Sequence, residues 1–170
     1  GQIKPALAAA SELQNLLSDE VVRPSADWLE SYYAMKFHVL VRFGMWDEII
    51  SQEPPKDTEL YCFTTALTYY AKTIAYAATN LIDEAEGQKE LFFKAIKAVP
   101  ETRVLFNNLC IDILAIAAEM LQGEIAYRKK EYSKSFDHLR KAVYLDDGLP
   151  YEEPWGWMQP VRHALGPLLL

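Results

Sequence analysis

Apolar residues recur along this chain in steps of three and four, and the breaks between such stretches fall at glycine, proline and asparagine. From Ala6 to Leu17 the segment is rich in Ala, Leu, Glu and Gln, good helix formers, until Arg23-Pro24 interrupts it. Ser25 or Asp27 can cap a second helix, whose positions Trp28, Tyr32, Met35, Val39 and Phe43 keep helical rhythm as far as Gly44. The pattern restarts at Trp46-Asp47-Glu48-Ile49-Ile50 and stops at Pro54-Pro55, because proline lacks the donor that a helix interior needs. Asp57 opens the next helix, through Tyr61, Leu67, Ile74 and Ala78, which halts near Asn80; another runs from about Ile82 to Ala98. A long stretch from about Val104 to Tyr127, with a break near Asn107-Asn108, is followed by its partner Tyr132 to Leu145. Asp146-Asp147-Gly148 and Pro150 close that helix, and a last apolar segment begins near Gln159. No run alternates at strand period, so the expectation is an all-α chain. Its short connections make neighbouring helices antiparallel.

Composition narrows the function classes. The 170 residues are 51% hydrophobic, enough for a core, and 17 basic against 24 acidic side chains leave a net charge of −7. That balance repels phosphate backbones and anionic membrane surfaces, so neither nucleic acid nor a membrane is an expected partner. The densest basic stretch, Arg128-Lys129-Lys130 with Lys134, Arg140 and Lys141, reads as a solvated hairpin surface, with a docking patch for an acidic peptide as the alternative. Cys62 and Cys110 stand 48 positions apart in apolar stretches and lack metal or redox spacing, which predicts buried thiols. With no leader pattern and no long uncharged apolar run, the chain is compatible with the cytoplasm.

Internal repetition organises the helices. Aligning Trp46, Ile82 and Tyr132 makes each the start of a hairpin's second helix. Gly44, Asn80 and Lys130 then fall two residues before, Ile49, Ala85 and Ser135 three after, and Phe37, Thr73 and Gly123 nine before. Small residues at such places let helices approach closely, and the bulky anchors are expected to fill the wedge between one hairpin and the next. The reading is one domain over 1–170: a leading helix in 1–24, hairpins in 25–55, 56–100 and 101–149, and a loop with a truncated final helix in 150–170.

The segment Leu121-Gln122-Gly123-Glu124-Ile125-Ala126-Tyr127, followed by Glu131-Tyr132-Ser133-Lys134-Ser135 and Lys141-Ala142, resembles a tetratricopeptide repeat. More narrowly, Val41-Arg42-Phe43-Gly44-Met45-Trp46-Asp47-Glu48-Ile49, Gly123-Glu124-Ile125-Ala126, Pro150-Tyr151, Glu153-Pro154 and Pro160-Val161-Arg162 before Leu165-Gly166 resemble the later part of a large, uncharacterised tetratricopeptide family. This likeness covers about residues 37–170. It implies a right-handed α-solenoid of degenerate helix pairs, a binding scaffold and not an enzyme, without a cofactor. It also implies a concave groove lined by the first helix of each hairpin. In that register the candidate partner contacts are His38, Arg42, Tyr70, Ile74, Met120, Glu124, Tyr127 and His163, and the partner is another protein or peptide. The Lys, Asn and Arg clamp of chaperone-binding relatives is missing, since His38, Ile74 and Glu124 occupy its positions.

Catalytic constellations are thin. His38, His138 and His163 lie in different hairpins without ligand spacing, and the pairs Asp83-Glu84, Asp146-Asp147 and Glu152-Glu153 point apart on a helix. The loop with Trp155 and Trp157 either plugs the adjacent hairpin, the preferred reading, or presents a sticky surface. A small-ligand sensor or solenoid enzyme with an aromatic-lined pocket, using Glu124 or a carboxylate near Trp155, is the competing class. The terminal Pro167-Leu168-Leu169-Leu170 leaves leucines to cover, by a longer natural chain or by end-to-end pairing of two copies.

Overall fold

The computed structural model describes residues 2–154 and 156–168. Helix α1 (Ile3–Leu16) leads into a broken segment: α2 (Asp19–Val22), a 3-10 turn at Arg23–Ser25, α3 (Ala26–Leu29), a second 3-10 stretch at Glu30–Ala34, then α4 (Met35–Arg42). After it come α5 (Trp46–Ser51), α6 (Cys62–Ala78) and α7 (Ile82–Ala95), the last tightened to 3-10 at Ile96–Ala98. A two-residue antiparallel ladder, β1 (Val104–Leu105) with β2 (Asn108–Leu109), precedes α8 (Cys110–Arg128), α9 (Tyr132–Asp147) and α10 (Arg162–Leu168). The chain is therefore helical almost throughout. The ladder corrects the expectation of no strand, because two residues per strand are too few to show alternation in sequence.

Three turns repeat one geometry. Gly44, Asn80 and Lys130 all take left-handed backbone, with φ of 64°, 62° and 64°. In each, the next amide reaches back five residues: Met45 to the Leu40 carbonyl at 3.0 Å, Leu81 to Tyr76 at 2.9 Å and Glu131 to Ala126 at 2.9 Å. The left-handed residue itself donates to the carbonyl three before it. This double bond satisfies the last carbonyls of the first helix and sends the chain back antiparallel.

The hairpins close at the third residue after each anchor, small in two of the three. Ile49, Ala85 and Ser135 are wholly buried, and the Ser135 hydroxyl donates to the Gly123 carbonyl at 2.8 Å. A Cβ on Gly123 would stand 2.9 Å from Leu139 Cγ and Cδ2, so the glycine permits the close contact of α8 with α9. The anchors do not fill wedges as expected. Trp46 and Ile82 are half-buried and Tyr132 is 48% exposed, its ring against Tyr127. The buried seat lies three residues later.

First helices neighbour one another in the order α4, α6, α8, while α5 packs on α6 and α7 on both α6 and α8. The main core runs through all of them and reaches Trp157 and Val161. Among the described residues no helix is long and apolar enough to cross a membrane.

The segment from 19 to 42 departs most from its sequence pattern. Trp28 is 65% exposed, Phe43 is exposed and Val39 half-buried, whereas Glu30 and Ser31 are wholly buried. The Glu30 carboxylate accepts from the Phe63 and Thr64 amides at 3.3 and 2.8 Å, capping α6 from another part of the chain, and pairs with Arg103 at 3.1 Å. Arg103 also donates to the Leu60 carbonyl at 3.1 Å and lies 3.3 Å from Asp27. Ser31 donates to the Val104 carbonyl at 2.7 Å. Burial raises the Glu30 pKa despite those donors. Asp57 accepts from the Leu60 amide in a turn, so α6 starts at Cys62 and not at Asp57.

Candidate functional site

His38 and Arg42 lie four residues apart on α4, Tyr70 and Ile74 four apart on α6, and Met120 and Glu124 four apart on α8. Each pair thus shares one helix face. With His163 of α10 these six line a single cavity of about 210 Å³. The histidines at 38 and 163, read in sequence as lying in different hairpins, therefore line one cavity. Tyr127 does not join them. It lies at the C-terminal end of α8, where its ring packs on α9, with centroids 5.3 Å from Tyr132 and 6.5 Å from Phe136.

Six lining residues lay outside the candidate set, Trp157 and Gln159 among them. Trp157 is 3% exposed, and its ring meets His38 and Tyr70 edge-on, at 5.3 Å from each. It seals the adjacent hairpins as the plug reading expects; Trp155, its companion in that reading, lies outside the described residues. Gln159 donates through Nε2 to the His38 carbonyl at 2.7 Å, tying the loop to α4. A proline-rich loop carries no periodicity, so only the pair of tryptophans signalled it. Pro160 lies just before α10, and the Asp147–Arg162 pair at 2.5 and 2.6 Å, with the Val161 amide on Asp146 at 3.2 Å, docks that helix on α9. Leu165 and Leu168 are half-buried, and Leu169 and Leu170 lie outside the described residues.

The cavity opens beside an apolar trough of about 540 Å³ between α1 and α4, where Ala6, Ala9, Ala10 and Leu13 face Met35, Val39 and Phe43. His38, Arg42, Gln159, Pro160 and His163 border both spaces. No acidic side chain lines the trough among the described residues.

Electrostatics differ sharply around the cavity. Burial pushes the His38 pKa down to about 4, so its ring is neutral at neutral pH. Burial, and then the nearby Glu124 carboxylate, raise the Tyr70 phenol above its ordinary range. Glu124 is balanced by Arg128, whose Nε and Nη2 lie 2.8 and 2.7 Å from the same oxygen. Glu124 is also the one carboxylate on the wall among the described residues, so no pair of carboxylates converges there.

Elsewhere the polar groups are engaged in structure. In the basic stretch Arg128, Lys129, Lys134, Arg140 and Lys141 pair with Glu124, Glu86, Glu131, Asp137 and Glu119. His138 Nδ1 lies 2.6 Å from Glu119 across α8 and α9, a pair that sequence spacing hid. Cys62 and Cys110 are buried free thiols with pKa raised by burial, which keeps them unreactive. Among the described residues no three His, Cys, Asp or Glu side chains gather as metal ligands would. Comparison with protein-family models, curated proteins and solved structures finds no match to this chain.

Proposed function

We propose that this chain is a partner-binding scaffold of the tetratricopeptide kind, an α-solenoid whose groove receives an amphipathic helix or extended segment of another protein. The observation that carries the reading is the trough between α1 and α4, an apolar channel of about 540 Å³ that adjoins polar anchors at Arg42 and His163. Apolar channels with a few convergent polar groups are what a helix or peptide needs in order to dock by one face. The repeated turns at Gly44, Asn80 and Lys130 and the neighbour order α4, α6, α8 support the solenoid part of the proposal. A partner in the cytoplasm and no chemical turnover belong to the same reading.

A photo-crosslinking amino acid placed at Phe43 in the trough, and separately at Tyr144, which is 77% exposed and does not line it, separates groove binding from surface stickiness. The expected result is a discrete protein adduct from position 43 that Ala9→Trp, a plug for the trough, abolishes. Equal adducts from both positions, or adducts indifferent to the plug, defeat the proposal.

A further inference from the structure

The cavity itself has a character that a peptide trough does not require. Tyr70 is 5% exposed, and its hydroxyl makes no hydrogen bond to any described residue; His38 is 7% exposed, and its Nε2 has no partner either. The Tyr70 oxygen, unlike His38 Nε2, keeps accessible surface, so the phenol offers the cavity a donor that no described protein group takes up. Charge gives a second, independent sign. Of the six arginines, Arg23, Arg103, Arg128, Arg140 and Arg162 each hold a carboxylate, and Arg42 alone has none among the described residues. In a chain of net charge −7, the one uncommitted guanidinium lines this cavity. Glu124, the counter-charge on the wall, is already neutralised by Arg128.

Size and lining fix the rest. A cavity of about 210 Å³ exceeds the roughly 150 Å³ of engineered apolar cavities that hold benzene, so it takes one substituted ring or a branched chain of similar bulk. Ile74, Met120 and the edge of Trp157 supply apolar and aromatic contact for that body.

We propose that the cavity binds a small organic monocarboxylate, its carboxylate paired with Arg42, its ring or branched body against Ile74, Met120 and Trp157, and the Tyr70 hydroxyl donating to a ligand oxygen. This site adjoins the trough but does not rest on the partner-binding reading, and the shared Arg42 lets the two occupants compete.

The test is a titration of the 15N-labelled chain with phenylacetate, 3-phenylpropanoate and 4-methylpentanoate, followed at the Trp157 indole and the α6 amides. Trp157→Phe assigns the indole signal. At least one acid is expected to shift these signals saturably and to bind about tenfold or more tightly than its neutral amide, the difference that a charge-assisted hydrogen bond makes. Arg42→Gln, at an exposed position that the fold does not need, should erase the preference for acid over amide, while Tyr70→Phe weakens acid and amide alike. Three acids without a saturable shift at Trp157 overturn the proposal. So do equal affinities for acid and amide, or a preference that survives Arg42→Gln. Failure of the trough to crosslink a protein leaves all of these readings intact, so the two proposals fail separately.

Discussion

The α8–α9 hairpin and the segment from 19 to 42 are both helical, yet they are held by opposite means. The hairpin is built from near neighbours: a left-handed Lys130, a buried Ser135 bonded to Gly123, and Leu139 seated against that glycine. The segment is held from far away, through Glu30 to α6 and Arg103 and through Ser31 to the Val104 carbonyl, across 33 and 73 positions of sequence. Local signals make a hairpin readable in isolation. A segment anchored by distant polar partners breaks into α and 3-10 pieces that follow those partners and not its own apolar rhythm.

The sharpest way to break this contrast is Arg103→Met, which strands the buried Glu30 carboxylate. Removing one member of a buried pair typically costs about 3–5 kcal/mol, read by chemical denaturation, and Glu30→Gln in the same chain should restore much of the loss. If Arg103→Met unfolds at the wild-type denaturant concentration, long-range anchoring of the segment is wrong.

Acid should act next most strongly, again on the broken segment. His38 is held neutral with its pKa lowered to about 4 from an ordinary 6.5. Above pH 6.5 neither state gains a proton; below it the unfolded chain takes one that the native ring refuses until about pH 4. Stability is therefore full above pH 6.5 and falls across that window by about 3 kcal/mol. His38→Gln should flatten the profile there, and an unchanged slope would remove His38 from the account.

Legibility follows the same division. Gly44 and Asn80 announced left-handed turns by residue type, whereas Lys130 takes the same conformation through its place in the motif, against its own preference. The register that the tetratricopeptide resemblance implied pointed to His38 with Arg42, Tyr70 with Ile74, and Met120 with Glu124, and four-residue spacing keeps each pair on one face along the cavity wall. Tyr127 shares the face of Met120, seven residues before it, and fell outside because it lies further along α8, at the C-terminal end, where its ring packs on Tyr132 and Phe136. Trp157 and Gln159 could not be placed, because no period governs a loop and their partners on α4 lie about 120 residues earlier. The buried Glu30 was equally invisible, since nothing near it in sequence advertises Arg103.

Within the hairpin, effects should be smaller and local. Gly123→Ala forces a methyl into Leu139 and should destabilise by about 1–3 kcal/mol. Gly87→Ala, where nothing lies within 4 Å, should stabilise by about 0.5–1 kcal/mol. Thermal melts that rank these two in the opposite order would contradict the close α8–α9 contact. Lys130→Gly is of similar size, expected to stabilise by about 1 kcal/mol by relieving the left-handed lysine; a loss of stability there would show that the lysine side chain matters more than its backbone.

The monocarboxylate proposal stands on the convergence of α4, α6 and the 157–163 segment around one cavity. Nuclear Overhauser contacts from the Trp157 indole measure it directly: cross-peaks to ring protons of both His38 and Tyr70, whose centroids lie 5.3 Å away, are the predicted result. A folded protein whose Trp157 indole contacts neither ring would contradict it.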